Sequence, residues 1–287
     1  MIDAVRLAEL IELGRALRPT RLNLTPLLAL GRELLDDRDR GLTHFVDRVY
    51  TKSDEFRERW MGQTALRFHR LSEARRREIR IIGASTDLLG PSGRRYDERL
   101  HTATIAWAMS HAVPFRETAI RAFVTAVKAG VLRGAASPLD DSALDVSSVT
   151  TIPERSVGSF GRVDVWLETQ SHVIAVEAKL LAAEGNDQIP RYNQARRLLP
   201  MKDHWSVVFL TVTADQEPTG DAIQITFADL LRAWLPVAAS GDSTEHQHFG
   251  LYLASVARIC GIGQPGRFDD WNFSERRAAL DLILGTP

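Results

Sequence analysis

The stretch Gly161–Tyr192, GRVDVWLETQSHVIAVEAKLLAAEGNDQIPRY, decides the fold of this 287-residue chain. Two short apolar runs within it, Arg162–Leu167 and His172–Leu180, alternate with the period of two that is typical of β-strands. The turn-forming residues Thr169–Ser171 lie between the runs and favour a hairpin. The stretch therefore predicts two antiparallel strands, followed by a helix for which Asp187 is the expected cap.

The alternation also predicts which side chains share a face of the sheet. Glu177 and Lys179 are two residues apart, so both side chains leave the second strand on the same face. If the strands pair antiparallel, Asp164 can reach Glu177. On the first strand Asp164 is expected on one face, and the other face is expected to carry Val163, Val165 and Leu167.

Two carboxylates that converge from neighbouring strands make a hard-oxygen site of the kind that holds Mg²⁺, which keeps several waters and is completed by substrate phosphate. A lysine beside such a site can orient an attacking water or offset charge that grows on phosphate oxygens. Charges on solvated strand faces are the alternative explanation for Asp164 and the Glu-x-Lys pair. The almost wholly apolar run Val173–Val176 argues against it, because charges at the end of a central strand need a reason.

Asp164, followed after the hairpin by Glu177-Ala178-Lys179, resembles the PD-(D/E)XK nuclease superfamily, and the resemblance covers roughly residues 95–230. It implies a restriction-endonuclease-like fold, which is an α/β fold with an αβββαβ core and a mixed sheet flanked by helices. Val163 stands where the family has a proline, a departure that is common in divergent branches.

The resemblance implies a metal-dependent nuclease that hydrolyses phosphodiester bonds of nucleic acid, with DNA as the expected substrate and Mg²⁺ or Mn²⁺ as the cofactor. Asp164, Glu177 and the carbonyl of Ala178 would hold the metal, and Lys179 would position the attacking water. The alternative is a nuclease-like fold that binds nucleic acid or a partner protein without cutting it. The intact set of Asp, Glu and Lys argues against a decayed site.

Gln188 and Tyr192 open the helix after the hairpin, where several branches of the superfamily place a Gln and an aromatic residue. By this resemblance Gln188 would orient the water or a phosphate oxygen, and Tyr192 would pack beside the site or touch the nucleic-acid backbone. Arg191 on the same helix and Arg162 at the start of the first strand are the further candidates for contacts with nucleic acid.

Glu98 lies near the start of a helix predicted over Tyr96–His111. Some superfamily members place a metal-binding Glu on the helix before the sheet, so the resemblance makes Glu98 a candidate ligand. An acidic residue in a first helical turn is also favoured by the helix dipole, and both explanations stay open. Glu154, before the Asp164 strand, is a second candidate for an outer ligand, although a turn residue is the favoured interpretation there.

Three regions are predicted along the chain: an N-terminal helical segment over residues 1–89, the nuclease-like core over 90–240, and C-terminal helices over 241–287 that pack on the core. The loop Gly90–Gly93 marks the first boundary. Basic residues crowd between Arg67 and Arg80, as a phosphate-contacting surface or, the favoured interpretation, a solvated helix face. The remaining core strands are predicted at Val146–Pro153, Ser206–Val212 and Ala222–Thr226.

Composition is typical of a soluble globular protein, with 44% hydrophobic and 25% charged residues and a net charge of −1. The single cysteine fits a reducing cytosol and predicts a cytoplasmic protein, and the chain has no apolar run long enough to cross a membrane.

A Walker loop, HExxH, paired CxxC and Gly-x-Ser-x-Gly are absent, which argues against the corresponding enzyme classes. Substrate form, the choice between endonuclease and exonuclease, and a homodimer or partner protein stay open, although defence or mobile-element biology is suggested by analogy.

Overall fold

The structure, a computed structural model, describes residues 51–55, 58–62, 68–131, 144–181, 187–198 and 202–284. The chain divides into two compact units, Met1–Trp60 and Met61–Pro287. In the first unit, residues 51–55 and 58–60 are helical. The helices predicted before residue 51, and Arg67 of the basic cluster, lie outside the described residues.

A five-stranded mixed sheet forms the centre of the second unit, with the strands in the order β1-β2-β3-β4-β5. β1, β2 and β3 pair antiparallel, whereas β3, β4 and β5 pair parallel. The predicted hairpin is therefore confirmed as β2 and β3. The strands are β1 Thr150–Ser156, β2 Arg162–Glu168, β3 His172–Lys179, β4 His204–Thr211 and β5 Ile223–Thr226.

Helices flank this sheet, so the α/β class with a mixed sheet is confirmed. The described helices of the second unit longer than a short turn are α1 Glu73–Ile82, α2 Glu98–Ala108, α3 Arg116–Val131, α4 Gln188–Ala195, α5 Phe227–Ala239, α6 Thr244–Ile259 and α7 Phe273–Leu284. The helix, three strands, helix, strand order is present, with α3 added before β1 and β5 added after β4. α1 belongs to the second unit and packs against α5 and α6, although it falls within the segment 1–89 that the sequence pattern groups together.

The sheet separates two hydrophobic clusters. The larger cluster includes Ile174 and Val176 of β3 together with apolar residues of α2, α3, α5 and α6. The smaller cluster lies under α4 and includes Val173 and Ala175 of β3. Since every residue of β3 before Lys179 is buried, β3 is a central strand covered on both faces, as its apolar sequence predicts.

The predicted face of Val163 is wrong, because Val163 lies in the smaller cluster whereas Val165 lies in the larger one. The β1–β2 register places Glu154 across from Asp164, between the pairs Pro153–Val165 and Arg155–Val163. Glu154 has a left-handed backbone with φ 50°. Such a residue interrupts the regular pleat, so the strict alternation of β2 fails at this point.

One predicted strand start and one predicted helix cap also differ from the structure. The strand expected from Val146 begins at Thr150, because Asp145 caps a 3₁₀ turn over Val146–Ser148 by accepting a hydrogen bond from the backbone N–H of Ser147. Asp187 does precede α4, but it is left-handed with φ 51° and makes no capping hydrogen bond through its side chain. Among the described residues no helix is both long and apolar enough to span a bilayer.

Candidate functional site

The site lies where the hydrogen-bonded ladder between β2 and β3 opens. The ladder extends from the pair Glu168–Val173 to the pair Val165–Val176 and goes no further. Beyond it, Oδ2 of Asp164 accepts the backbone N–H of Ala178 at 3.0 Å. A side-chain carboxylate thus takes the place of a strand partner, and Asp164 is held beside the end of β3, as the antiparallel pairing predicts.

Glu177 and Lys179 leave β3 on the α4 side of the sheet and form a close ion pair. Nζ of Lys179 lies 2.7 Å from Oε1 of Glu177. The Glu177 side chain is only 1% exposed and that of Lys179 is 11% exposed. A charge pair this deeply buried is expensive to desolvate, so it requires good geometry and further hydrogen bonds to persist.

Glu98, the first residue of α2, is a second carboxylate close to the ammonium of Lys179. Its Oε2 lies 3.7 Å from Nζ of Lys179, and its Oε1 accepts the backbone N–H of Leu180 at 3.2 Å. The structure therefore brings Glu98 to the site, where it pairs with Lys179 and its charge also acts on Asp164. Its role as a metal ligand stays a prediction.

Tyr192 is buried, and its hydroxyl lies between two acceptors. They are Oε2 of Glu177 at 2.9 Å and the carbonyl of Arg162 at 2.7 Å. The aromatic ring belongs to the smaller hydrophobic cluster and is 1% exposed. Tyr192 thus packs beside the site, one of the two roles expected for it, and its burial leaves little surface for contact with a nucleic-acid backbone.

These groups line one cavity of about 320 Å³. The acidic groups of its lining are Glu98, Glu154, Asp164 and Glu177, the basic ones are Arg99, Arg162, Lys179 and Arg191, and the others are Gly161, Gln188 and Tyr192. Gln188 is the first residue of α4, at the position expected for it. The predicted side chains therefore converge, and Arg99 joins them although no pattern in the sequence singled it out.

Two of the arginines lie on the solvent side of the cavity, whereas the Glu177 carboxylate is buried. Arg99 and Arg162 are exposed, and Arg162 forms a 3.5 Å ion pair with Glu154. Nε of Arg191 is buried and has no hydrogen-bond partner in the described part of the chain. An unsatisfied guanidinium N–H is suited to an anionic oxygen, for which arginine has the right geometry.

Burial raises the pKa of Asp164 to about 7, and the neighbouring Glu177 carboxylate raises it further. The hydrogen bond from the backbone N–H of Ala178 acts in the opposite direction and lowers this pKa. Burial alone would lower the pKa of Lys179, but the hydrogen bond and charge of Glu177 outweigh it and raise that pKa. Lys179 therefore favours its charged form beside Glu177. Burial also raises the pKa of Tyr192, with Glu177 as the second cause, so its hydroxyl remains a neutral donor.

The donor set fits a divalent cation that keeps part of its own hydration. Asp164 and Glu177 supply carboxylates, and the pKa of Asp164 is raised by burial first and by the neighbouring Glu177 second. Among the described residues, no group of three or more His, Cys, Asp or Glu side chains is arranged so that it could hold a metal ion. Mg²⁺ suits such a site, because it is usually bound through one or two carboxylates with water and substrate phosphate.

Comparisons with protein-family models, with curated proteins and with solved structures found no match for this chain.

Proposed function

We propose that this protein is a metal-dependent nuclease of the PD-(D/E)XK type that hydrolyses phosphodiester bonds, with DNA as the favoured substrate. The observation that carries the proposal is the convergence of Asp164, Glu177 and Lys179 in one cavity where β2 and β3 separate. Two carboxylates and an ammonium in that arrangement match the needs of metal-assisted phosphodiester hydrolysis. We also propose that the fold is restriction-endonuclease-like.

Asp164 and Glu177 would hold Mg²⁺ or Mn²⁺, together with the backbone carbonyl of Ala178. The N–H of Ala178 already points at Asp164, and in an antiparallel strand the N–H and C=O of one residue face the same neighbour. A bound cation would lower the pKa of a coordinated water and offset charge on the scissile phosphate.

The remaining side chains have roles in orientation and charge. Lys179, kept protonated by Glu177, would donate to the attacking water or to a phosphate oxygen. Gln188 lines the same cavity and would orient that water or phosphate. Arg162 and Arg191, with Arg99, would contact the phosphates on either side of the scissile one, where each contact adds to the salt dependence of binding.

Cleavage of a supercoiled plasmid with increasing Mg²⁺ or Mn²⁺ tests this proposal. We expect the wild type to cut only with metal present. Asp164→Ala, Glu177→Ala and Lys179→Ala should each reduce the rate by about 1,000-fold or more, because each removes a group that acts on the developing charge. Circular dichroism would confirm that the variants fold.

The matched control is Lys202→Ala, because Lys202 forms a 2.7 Å ion pair with Glu168 at the opposite end of β2. That variant also loses a buried ammonium from a carboxylate pair, yet it should keep wild-type cleavage. Full activity in Lys179→Ala would contradict the mechanism. Metal-independent binding of DNA with no cleavage by the wild type would support the non-cleaving binding module instead.

A cytoplasmic location and a role in prokaryotic defence or on mobile elements are parts of the same proposal. They rest on the single cysteine and on the analogy with nucleases that carry extra N-terminal helices. The form of the nucleic acid, and a homodimer or partner protein, are the next properties to measure once cleavage is established.

A further inference from the structure

Both carboxylate oxygens of Glu177 have donors within the protein. Oε1 is paired with Nζ of Lys179 at 2.7 Å, and Oε2 accepts from the hydroxyl of Tyr192 at 2.9 Å. Each oxygen keeps a second lone pair for a cation. A divalent cation on Glu177 would nevertheless lie close to the ammonium of Lys179 and repel it, which favours movement of the lysine away from Glu177. A donor that turned away from Glu177 without a new acceptor would be left buried and unsatisfied, which is costly.

Each of the two donors has a second acceptor within reach. The hydroxyl of Tyr192 lies 2.7 Å from the carbonyl of Arg162, which can take its single proton. Nζ of Lys179 lies 3.7 Å from Oε2 of Glu98, farther than its distance to Glu177 but close enough to be closed by side-chain rotation. Glu177 can thus be released without stranding either donor.

Glu98 is held in the position that this exchange requires. The backbone N–H of Leu180, next to Lys179 in the chain, donates to its Oε1, and the N-terminal position on α2 favours a negative charge there. Its Oε2 stays directed at the lysine. Asp164 is less suited as the receiving group, because its Oδ2 is bonded to the N–H of Ala178 and it would itself hold the metal.

We propose that Glu98 is a positioning residue which receives the ammonium of Lys179 when Glu177 takes up a divalent cation. This inference rests on the proposed function, since it concerns how the cation enters that site. Lys179 moves from Glu177 to Glu98 and stays charged and close to the metal. Glu98 acts through the lysine and is not itself a ligand.

A thermodynamic cycle on Mn²⁺ affinity, measured by calorimetry without nucleic acid, tests the exchange. Glu98→Gln should weaken Mn²⁺ binding about 10-fold, in the range found for residues that support metal ligands. Lys179→Met should bind Mn²⁺ at least as tightly as the wild type, because the competing ammonium is gone. In the Lys179→Met background, adding Glu98→Gln should change the affinity less than about 2-fold, because no ammonium remains to be received.

Glu154→Gln is the comparison for a general charge effect. Glu154 lines the same cavity but pairs with Arg162, so its loss should weaken Mn²⁺ binding less than the loss of Glu98 does. Circular dichroism and urea unfolding in EDTA would establish that each variant is folded.

An equal loss of affinity from Glu98→Gln with and without Lys179 would identify Glu98 as a direct ligand and overturn the exchange. An unchanged affinity in Glu98→Gln would overturn it as well, and either result leaves the nuclease proposal standing if the wild type binds Mn²⁺ and cuts DNA. A wild type that binds no Mn²⁺ would remove both proposals.

Discussion

Asp164 makes the stability of the folded protein depend on pH. Its carboxyl is buried beside Glu177, and both effects raise its pKa to about 7. Because its pKa in the folded protein exceeds the ordinary value of 3.8, the native state binds the extra proton more readily than the unfolded chain does. The stability from this group is therefore complete below about pH 3.8, declines as pH rises, and is lost above about pH 7.

Asp164→Asn should consequently stabilise the protein in EDTA at pH 8. The gain should be at most on the order of 4 kcal/mol, since the pKa shift from 3.8 to about 7 corresponds to about 1.4 kcal/mol per unit. The amide oxygen of Asn can still accept the N–H of Ala178. Urea unfolding in EDTA at pH 8 measures the gain, which should shrink toward pH 5, and Mn²⁺ should stabilise the wild type but not the variant. A less stable variant at pH 8 would contradict this account of the charge balance.

The convergence of Asp164, Glu177 and Lys179 was predictable because strand pairing and a period of two are local rules. The hydrogen-bond and ion-pair partners of Tyr192 and Glu98 could not be predicted from the sequence. Tyr192 reaches Glu177 only because α4 packs on the sheet, and Glu98 comes to the site from a helix 79 positions before Glu177 in the sequence. Long-range packing of this kind leaves no periodic signal in a single sequence. For Arg99, which lines the cavity, the available signal was its place next to Glu98.

At the scale of elements, the sequence predicted the type and order of the described strands and helices better than their ends. The starts of β1 and α4 depend on Asp145 and on the left-handed Asp187, whose conformations are set by local hydrogen bonds and by the chain's path. The face of Val163 was wrong because a left-handed Glu154 on the neighbouring strand cannot be inferred from β2 itself. Element ends and pleat defects are decided by neighbours, whereas element type is decided within the segment.

The packing of α3 on β5 gives a prediction at this scale. A Cβ on Gly130 of α3 would lie 2.5 Å from the backbone oxygen of Gln224, and backbone cannot move aside cheaply. Gly130→Ala should therefore destabilise the protein by about 1–2 kcal/mol, although alanine is the better helix former. Urea unfolding measures the change.

Gly250→Ala in α6 is the matched control, because a Cβ there would lie 3.6 Å from Cγ1 of Ile81, an ordinary contact. This variant should gain up to about 1 kcal/mol from helix propensity. Two glycine-to-alanine changes in helices are thus expected to have opposite signs. A gain in both would show that α3 can shift away from β5 without loss.

At the scale of the whole molecule, α2 links the site to the helical layer through a buried histidine. His101 of α2 contacts the carbonyl of Arg95 through Nε2 at 2.8 Å and the hydroxyl of Tyr252, on α6, through Nδ1 at 3.3 Å. One neutral tautomer satisfies both, with Nε2–H donating to the carbonyl and Nδ1 accepting from the phenol. His101 is therefore a residue of the packed core, and Glu98 is positioned by the same helix.

Burial lowers the pKa of His101 below its ordinary 6.5, against the opposing effects of the Arg95 carbonyl and of Asp97. The unfolded chain therefore takes up the proton first as pH falls, so the stability from neutral His101 is complete above pH 6.5 and is lost progressively below it. The change that this one group causes in the free energy of unfolding cannot exceed about 1.4 kcal/mol per pH unit. We expect urea unfolding between pH 8 and 5 to show a shallower acid loss for His101→Gln than for the wild type, whereas the exposed His111→Gln should follow the wild type. Parallel curves for wild type and His101→Gln would mean that the pKa of His101 is the same in the folded and the unfolded protein, and would contradict the lowered pKa.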